Sequence, residues 1–132
     1  MTTIRRWNPA GIAAPASRYC HAVLAEGAAQ WLHLAGQVGV RPDGSVAVGL
    51  QAQIEQCLAN VHTGLRAAGM GRADAVKLTF YLTLGTPEAI ATYRAARDAW
   101  TGDVIPPAST LLIVAGLASP ALLAEVDCVA AR

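Results

Sequence analysis

The stretch Ile105–Pro120, with the sequence IPPASTLLIVAGLASP, has two prolines directly before an apolar run. Because proline cannot donate a hydrogen bond to a sheet ladder, it stands at the first residue of a strand or just before it. The stretch therefore predicts a strand that starts near Ala108 and has Ser109 at its mouth. Ser109 lacks the G-x-S-x-G turn of a nucleophilic serine, and a serine in this place typically satisfies a backbone group at the strand end.

Two amphipathic helices precede this strand. Apolar residues at steps of three and four predict the first helix over residues 50–68, with Gly69 as its stop. Thr86 and Pro87 have the residue types of an N-cap and a first helical position, so they predict a second helix that runs to about Trp100. Its periodicity predicts a core-facing stripe of Ala89, Tyr93, Ala96 and Trp100, with Arg94, Arg97 and Asp98 more toward solvent.

The other segments with a regular pattern predict strands. Tyr19–Leu24 and Gln30–Ala35 are separated by Gly27 and predict a hairpin. Residues 74–84, DAVKLTFYLTL, are rich in β-branched and aromatic residues and predict a buried strand, and Leu122–Ala130 predicts the last one. Between this hairpin and the first helix, residues 38–46, VGVRPDGSV, contain a turn at Pro42-Asp43-Gly44. The order assigned to the whole chain, β-β-β-α-β-α-β-β, predicts an α+β fold with the helices on one face of a mixed sheet.

The composition favours one domain that buries more apolar surface than a lone monomer would. Of the 132 residues, 54% are hydrophobic and 14% are charged. This length is typical of a single domain, residues 1–132, whereas the surface of a monomer has to be mostly polar. We therefore expect an oligomer. No apolar stretch approaches the roughly 20 residues of a membrane helix, and the N-terminal MTTIRRWNPAG lacks the apolar region of a secretory signal, so we expect a cytoplasmic protein with no membrane partner.

The residues that bind metals and nucleic acids are sparse. Three scattered cysteines, Cys20, Cys57 and Cys128, are typical of reduced thiols. The three histidines are isolated in the sequence, so neither a metal nor another cofactor is expected. Nine of the ten basic residues are arginines, and Arg5-Arg6 is the one local cluster. A nucleic-acid partner is therefore not expected, because such a surface usually has a basic stripe interleaved with aromatics.

Two carboxylates lie on the last predicted strand. Glu125 and Asp127 share one face of it, because side chains alternate along a strand. A partly buried carboxylate can act as a general acid or base. Two solvated acids on an edge strand are the alternative interpretation, and the pattern alone leaves both open.

Five segments together resemble the YjgF/RidA family, also called Rid proteins and long labelled L-PSP endoribonuclease. The segments cover nearly the whole chain from Tyr19 onward, in the family's order: LHLAGQVGVRPDGSV, QIEQCLANVHTGLRAAG, DAVKLTFYLT, PPASTLLIVAGLASP and LLAEVDCVAA. The resemblance implies a chorismate-mutase-like α+β fold and a homotrimer. Sheets of the subunits would line a central β-barrel, with helices outside and a small-molecule ligand at each subunit interface.

The resemblance also implies an activity. The best-understood members hydrolyse reactive enamines and imines such as 2-aminoacrylate to ammonia and a 2-keto acid. In them, an arginine of a P-A-R-S-type element binds the substrate carboxylate, and a glutamate on the last strand positions the water. Carried over by position, that glutamate corresponds to Asp127, the pocket tyrosine to Tyr19, and the pocket wall to Gly36 and Gln37. The arginine position is occupied by Ser109.

Ser109 is therefore the point at which this chain departs from the family. Losing a bidentate guanidinium removes charge-assisted hydrogen bonds of roughly 1.5–3 kcal/mol each. We expect an imine or enamine deaminase with a specificity altered from 2-aminoacrylate, with Asp127 as catalytic acid and Leu111 as a wall of a pocket for a neutral, larger or more apolar ligand. Arg18 is a candidate replacement anchor. The alternative is a non-catalytic small-molecule-binding trimer, whereas a ribonuclease would need the basic patch that the sequence lacks.

Overall fold

The structure is a computed structural model that describes all residues from Met1 to Arg132. It contains six strands and two α-helices in the order β-β-β-α-β-α-β-β. The succession of element types is the predicted one, but the first strand, β1, lies outside the segments that were predicted as strands. Their bounds are β1 Thr3–Trp7, β2 Ala22–Glu26, β3 Trp31–Val38, α1 Leu50–Ala67, β4 Ala75–Leu82, α2 Pro87–Thr101, β5 Ala108–Ile113 and β6 Ala124–Ala131. Neither helix is long and apolar enough to cross a membrane.

Four strands form the main sheet in the order β3-β6-β4-β5. The central strand β4 is antiparallel to β6 and parallel to β5. Parallel neighbours need a crossover connection, usually a helix, and α2 provides it between β4 and β5. β5 is an edge strand of this sheet. At its first residue, Ala108 forms a parallel bridge with Cys20, which precedes β2.

Both helices pack on the same face of this sheet. Leu78, Phe80 and Leu82 of β4 point toward them and are fully buried. The ring of Phe80 meets the ring of Tyr93 from α2 edge to face, with centroids 4.8 Å apart, a favoured aromatic geometry. Neither helix covers the opposite face, which presents half-buried residues such as Asp127. The predicted α+β class, with two helices on one face of a mixed sheet, is confirmed.

The helix ends match the signals in the sequence. Gly49 and Gly69 flank α1 with φ angles of 90° and 71°, a region that glycine adopts without steric cost. The side chain of Thr86 accepts a hydrogen bond from the backbone N–H of Ala89 at 3.2 Å, and Pro87 is the first residue of α2. The predicted N-cap is therefore confirmed, and the first helix ends one residue earlier than predicted.

The predicted N-terminal hairpin is wrong. β2 pairs with β1, from Thr3↔Glu26 to Trp7↔Ala22, whereas β3 pairs with β6 in the main sheet. β1 escaped prediction because its five residues, TIRRW, include two adjacent arginines and show no clear alternation. Residues 19–21 precede β2, and the backbone N–H of Cys20 donates to Pro107 at 3.3 Å, so they lie against β5.

Candidate functional site

A cavity of about 200 Å³ lies between the segment that precedes β2, helix α2 and strand β5. Tyr19, Ser109 and Leu111 all line it. Tyr19 reaches this place because its neighbour Cys20 is bonded to the start of β5. Three residues predicted for the ligand pocket are therefore brought together by the fold.

Ser109 stands in this cavity with an unsatisfied hydroxyl. It pairs with Leu78 across the β4–β5 register, so its side chain shares the helix-covered face of the sheet. Its Oγ atom is buried and has no hydrogen-bond partner in the chain. Buried polar atoms almost always have a partner, and an exception calls for an explanation. A hydroxyl of this kind is suited to bond a ligand.

Arg97 of α2 is a cavity residue that the sequence interpretation placed toward solvent. It is 3% exposed, and its guanidinium is held from several sides. Nε donates to Asp98 Oδ1 at 3.0 Å, and Nη1 donates to Tyr93 Oη at 3.1 Å and to Ser17 Oγ at 3.3 Å. The prediction failed because a buried charge is tolerated when it is paired and hydrogen-bonded, and those partners come from the folded structure.

A second arginine of the same helix, Arg94, also lines the cavity. It is exposed, and its side chain makes no hydrogen bond within the chain and no ion pair, unlike that of Arg97. Arg94 and Arg97 are three residues apart, a spacing that places side chains on one helix face. The sequence signal that could have indicated this wall of the cavity is the pair of arginines next to Tyr93. Cζ of Arg97 lies over the Tyr93 ring, 5.1 Å from its centroid.

Arg18, the candidate replacement anchor, does not line the cavity. Its guanidinium donates to the backbone carbonyls of Asp98, Gly102 and Val104, at 3.4, 2.5 and 3.3 Å. These carbonyls lie at or just beyond the last turn of α2, where helices have unpaired acceptors. Arg18 therefore caps the end of α2. The positive charge at the cavity comes instead from Arg94 and Arg97.

Asp127 lies on the other face of the sheet. It is half-buried on β6, opposite Thr79 of β4, and accepts a hydrogen bond from the hydroxyl of Tyr81 at 2.9 Å. This hydrogen bond, with smaller contributions from burial and from the charges of Asp127 and Glu125, raises the pKa of Tyr81 above its ordinary value. Tyr81 therefore stays a hydrogen-bond donor at neutral pH.

Gly36 and Gln37 lie on β3 at an irregularity of its pairing with β6. The register shifts between Leu34 and Gln37, as in a β-bulge, a feature common beside functional sites. A Cβ atom on Gly36 would come within 2.7 Å of Cδ of Glu125, so a larger residue here would require the Glu125 side chain to move. Gln37 Nε2 donates to the carbonyl of Ala35 at 3.0 Å.

The predicted site residues thus form two groups on opposite faces. Ser109 pairs with Leu78, which faces the helices, whereas Asp127 pairs with Thr79, the next residue along β4. Successive side chains of a strand point to opposite faces. Within one chain, the carboxylate of Asp127 therefore does not reach the cavity of Ser109.

The cysteines offer no nucleophile to either group. Burial raises the pKa of Cys57 and of Cys128 to about 12, so both remain thiols at neutral pH, and the thiolate is the reactive form. No group of three or more metal-ligating side chains is close enough to hold a metal ion.

Two helices packed on one face of a mixed sheet are also the arrangement of solved Rid structures similar to this chain. The sequence model of the family described as endoribonuclease L-PSP matches residues 11–132. The chain therefore belongs to the YjgF/RidA family.

Known relatives agree with this assignment. The structure of YyfB from Yersinia pestis, a Rid family protein of unknown function, is similar with a TM-score of 0.90 and 34% identity, over 98% of both chains. RidA from the Antarctic bacterium Psychrobacter is similar with a TM-score of 0.72 and 25% identity, over 90% of this chain and 92% of that one. A RutC family protein of Aquifex aeolicus is 36% identical over 70 residues, which are 52% of this chain and about half, 54%, of that protein.

Proposed function

We propose that this protein is an imine or enamine deaminase, which hydrolyses a reactive imine to a carbonyl compound and ammonia, with a specificity altered from 2-aminoacrylate. One observation supports this function most. Asp127 is a half-buried carboxylate, bonded by the hydroxyl of Tyr81 at 2.9 Å, at the position of the water-positioning glutamate in the deaminases that the sequence resembles. Tyr19 and Ser109, the counterparts of their pocket residues, line one cavity.

The chemistry demands little of the protein. An enamine first tautomerises to the imine, whose carbon is electrophilic. Asp127 takes a proton from a water molecule as the water oxygen bonds to that carbon, and it then returns a proton to the nitrogen. This gives a carbinolamine. A second proton then passes from its hydroxyl through Asp127 to the amino nitrogen, the carbon–nitrogen bond breaks, and ammonia leaves as the carbonyl forms. A positioned carboxylate contributes to such proton transfers by general acid–base catalysis, and the hydrogen bond from Tyr81 fixes its orientation.

The two groups of site residues act together only across a subunit boundary. We place the protein in a homotrimer in which the cavity of one subunit faces Asp127 of its neighbour, with the ligand between them. Exposed apolar side chains on the edge strands support an interface there: Leu112 is 44% exposed, Ile113 50% and Trp31 54%. Each edge strand of the sheet thus has large apolar side chains that a neighbouring subunit could cover.

Non-catalytic binding of a small molecule is the alternative function. The cavity favours it because Asp127 is not among the residues that line it. An endoribonuclease, the activity in the family's description, is disfavoured because neither histidine nor lysine lines the cavity and the net charge is only +1, whereas RNA binding usually requires a basic surface.

The test is an imine-hydrolysis assay. An oxidase generates imines from a panel of amino acids and neutral amines, and semicarbazide traps whatever the protein does not hydrolyse. We expect the wild-type protein to suppress trapping for a subset of the panel, and Asp127→Asn to lose about 100-fold or more in rate, as for removal of a general base.

The matched control is Glu125→Gln, because it removes the same charge from the same face of β6, two residues away. It should keep activity within about threefold, since Glu125 is not assigned to proton transfer. If the protein suppresses semicarbazide trapping of no imine in the panel, the deaminase function is wrong and the binding function replaces it. Activity that survives Asp127→Asn would remove Asp127 from the mechanism.

A further inference from the structure

The cavity beside Ser109 is positively charged, although β5 contributes no charged residue to it. Arg94 and Arg97 both line it, and no acidic residue does. Asp98 offsets part of the charge, because its Oδ1 lies 3.0 Å from Nη2 of Arg97. Arg94 has no such partner. The cavity thus presents an excess of positive charge to whatever occupies it, and a neutral ligand would leave that charge unmatched.

Two buried polar atoms beside this space have no aligned hydrogen-bond partner. One is Oγ of Ser109, and the other is Nη2 of Arg97, which is close to Asp98 but not oriented to donate to it. Both belong to residues that line the same cavity. Because buried polar groups are normally satisfied, each of these two residues has one polar atom that the folded chain leaves uncommitted.

The guanidinium of Arg97 is also fixed in advance. Tyr93 and Ser17 accept from its Nη1, Asp98 accepts from its Nε, and the ring of Tyr93 lies against it. A group held in this way loses little conformational freedom when a ligand binds, so more of the interaction energy appears as affinity. Arg94 is the adaptable member of the pair, since it is exposed and unpaired.

From these contacts we infer that Arg97 and Arg94 of α2 form the anion anchor of this cavity and bind the carboxylate of its ligand, in place of the strand arginine of the deaminases that the sequence resembles. The planar fork of a guanidinium matches a carboxylate, and a cavity of about 200 Å³ fits a small molecule. The anion anchor is then on helix α2 instead of strand β5. Assigning the carboxylate to a substrate rests on the proposed function, but the anion site itself does not.

This inference replaces the expectation of a neutral ligand. That expectation followed from Ser109 alone, because a serine supplies one neutral hydrogen bond where an arginine supplies a charged fork. With Arg97 and Arg94 on the opposite wall, Ser109 donates or accepts one further bond beside a charged anchor. The altered specificity then lies in where the carboxylate is held, and the ligand keeps its charge.

The test compares two stable probes that differ in charge. Pyruvate has the carboxylate, and pyruvamide has a neutral amide in its place. Affinities are measured by ligand-observed NMR titration of the full-length protein. We expect pyruvate to bind at least about tenfold more tightly than pyruvamide, equivalent to ~1.4 kcal/mol, with an advantage that falls as salt is added.

Variants of the two arginines test whether these residues cause the difference in affinity between pyruvate and pyruvamide. Arg97→Lys keeps the charge but loses the fork, and it should weaken pyruvate binding by about tenfold, whereas Arg94→Gln should weaken it by about threefold. Pyruvamide affinity should change little in either variant. Arg66→Gln is the matched control, because Arg66 is exposed on α1, outside the cavity, and it should leave both affinities unchanged.

Arg97 also joins Ser17 to Tyr93, so its replacement can disturb the fold. Arg94→Gln avoids this difficulty, because Arg94 has no partner to lose. Equal affinity for the two probes would overturn the inference, and so would pyruvate binding that stays within twofold in both arginine variants. Pyruvate preference without hydrolysis of any imine would overturn the proposed function alone, whereas hydrolysis of neutral imines without pyruvate preference would overturn the anchor alone.

Discussion

The two faces of the main sheet are built from the same strands but differ in burial and in the polar side chains that they present. Leu78 and Phe80 of β4 point under the helices and are fully buried, whereas the intervening Thr79 points to the other face and is half-buried. The helix-covered face holds the core and, at its edge, the cavity of Ser109. The opposite face holds Asp127 and its partner Tyr81.

This division separates recognition from proton transfer. Positive charge and unsatisfied donors are on the cavity side, where Arg97 is buried. The acid of the proposed reaction is on the side that the helices do not cover. Because side chains alternate along a strand, the same sheet carries the cavity residues on one face and Asp127 on the other. A single chain therefore cannot bring both to the same ligand. The proposed deaminase reaction therefore requires a second subunit.

The largest expected effect concerns stability on the covered face. Phe80→Ala removes a fully buried ring that contacts Tyr93 and should lower the free energy of unfolding by about 3–5 kcal/mol. Thr79→Ala, the adjacent residue on the opposite face, should cost less than about 1 kcal/mol. Urea unfolding at one protein concentration measures both. Equal losses would mean that the two faces are packed alike.

The next expected effect tests whether the two groups meet between subunits. Asp127→Asn disables the acid, and Ser109→Leu fills the cavity, so each variant alone should be inactive. Co-expressed in equal amounts, they should regain about one quarter of wild-type activity, because in a cyclic trimer a quarter of the sites combine an intact cavity with an intact acid. Rate per site in the imine assay gives the fraction. A mixture as inactive as its parts would contradict a shared site.

Much of the fold could be predicted because its signals are local. The apolar spacing of α1, the Thr86-Pro87 start of α2 and the proline pair before β5 each determine backbone structure within a few residues. The pairing of β1 with β2 could not be predicted in this way. It joins a short arginine-containing segment to a strand about 20 residues away, and no local pattern encodes such a pairing.

Three residues that line one cavity could be named from the sequence, but their arrangement could not. The resemblance to Rid proteins pointed to Tyr19 and Ser109, and Leu111 was expected as a pocket wall. The structure brings all three together. Their separation from Asp127 depends on the registers of β4 with β5 and with β6, which are long-range contacts. Arg97 was missed because helical periodicity treats every arginine as polar, although tertiary partners such as Tyr93 allow it to be buried.

The smallest expected effect concerns the hydrogen bond between Tyr81 and Asp127. Tyr81→Phe removes it while keeping the ring, so the carboxylate is less well oriented and the deaminase rate should fall by about three- to tenfold.

The same change, Tyr81→Phe, alters the pH dependence of stability. Hydrogen bonding to Asp127 raises the pKa of Tyr81 in the folded protein, so the unfolded chain loses this proton first as pH rises. The stabilisation is therefore fully present below the ordinary tyrosine pKa of about 10 and is lost as pH rises through the raised value. Urea unfolding of the wild-type protein should show this alkaline loss, and Tyr81→Phe should lack it. Identical alkaline profiles for the two proteins would mean that the bond does not tune Tyr81, and an unchanged rate would mean that Asp127 needs no help from the neighbouring strand.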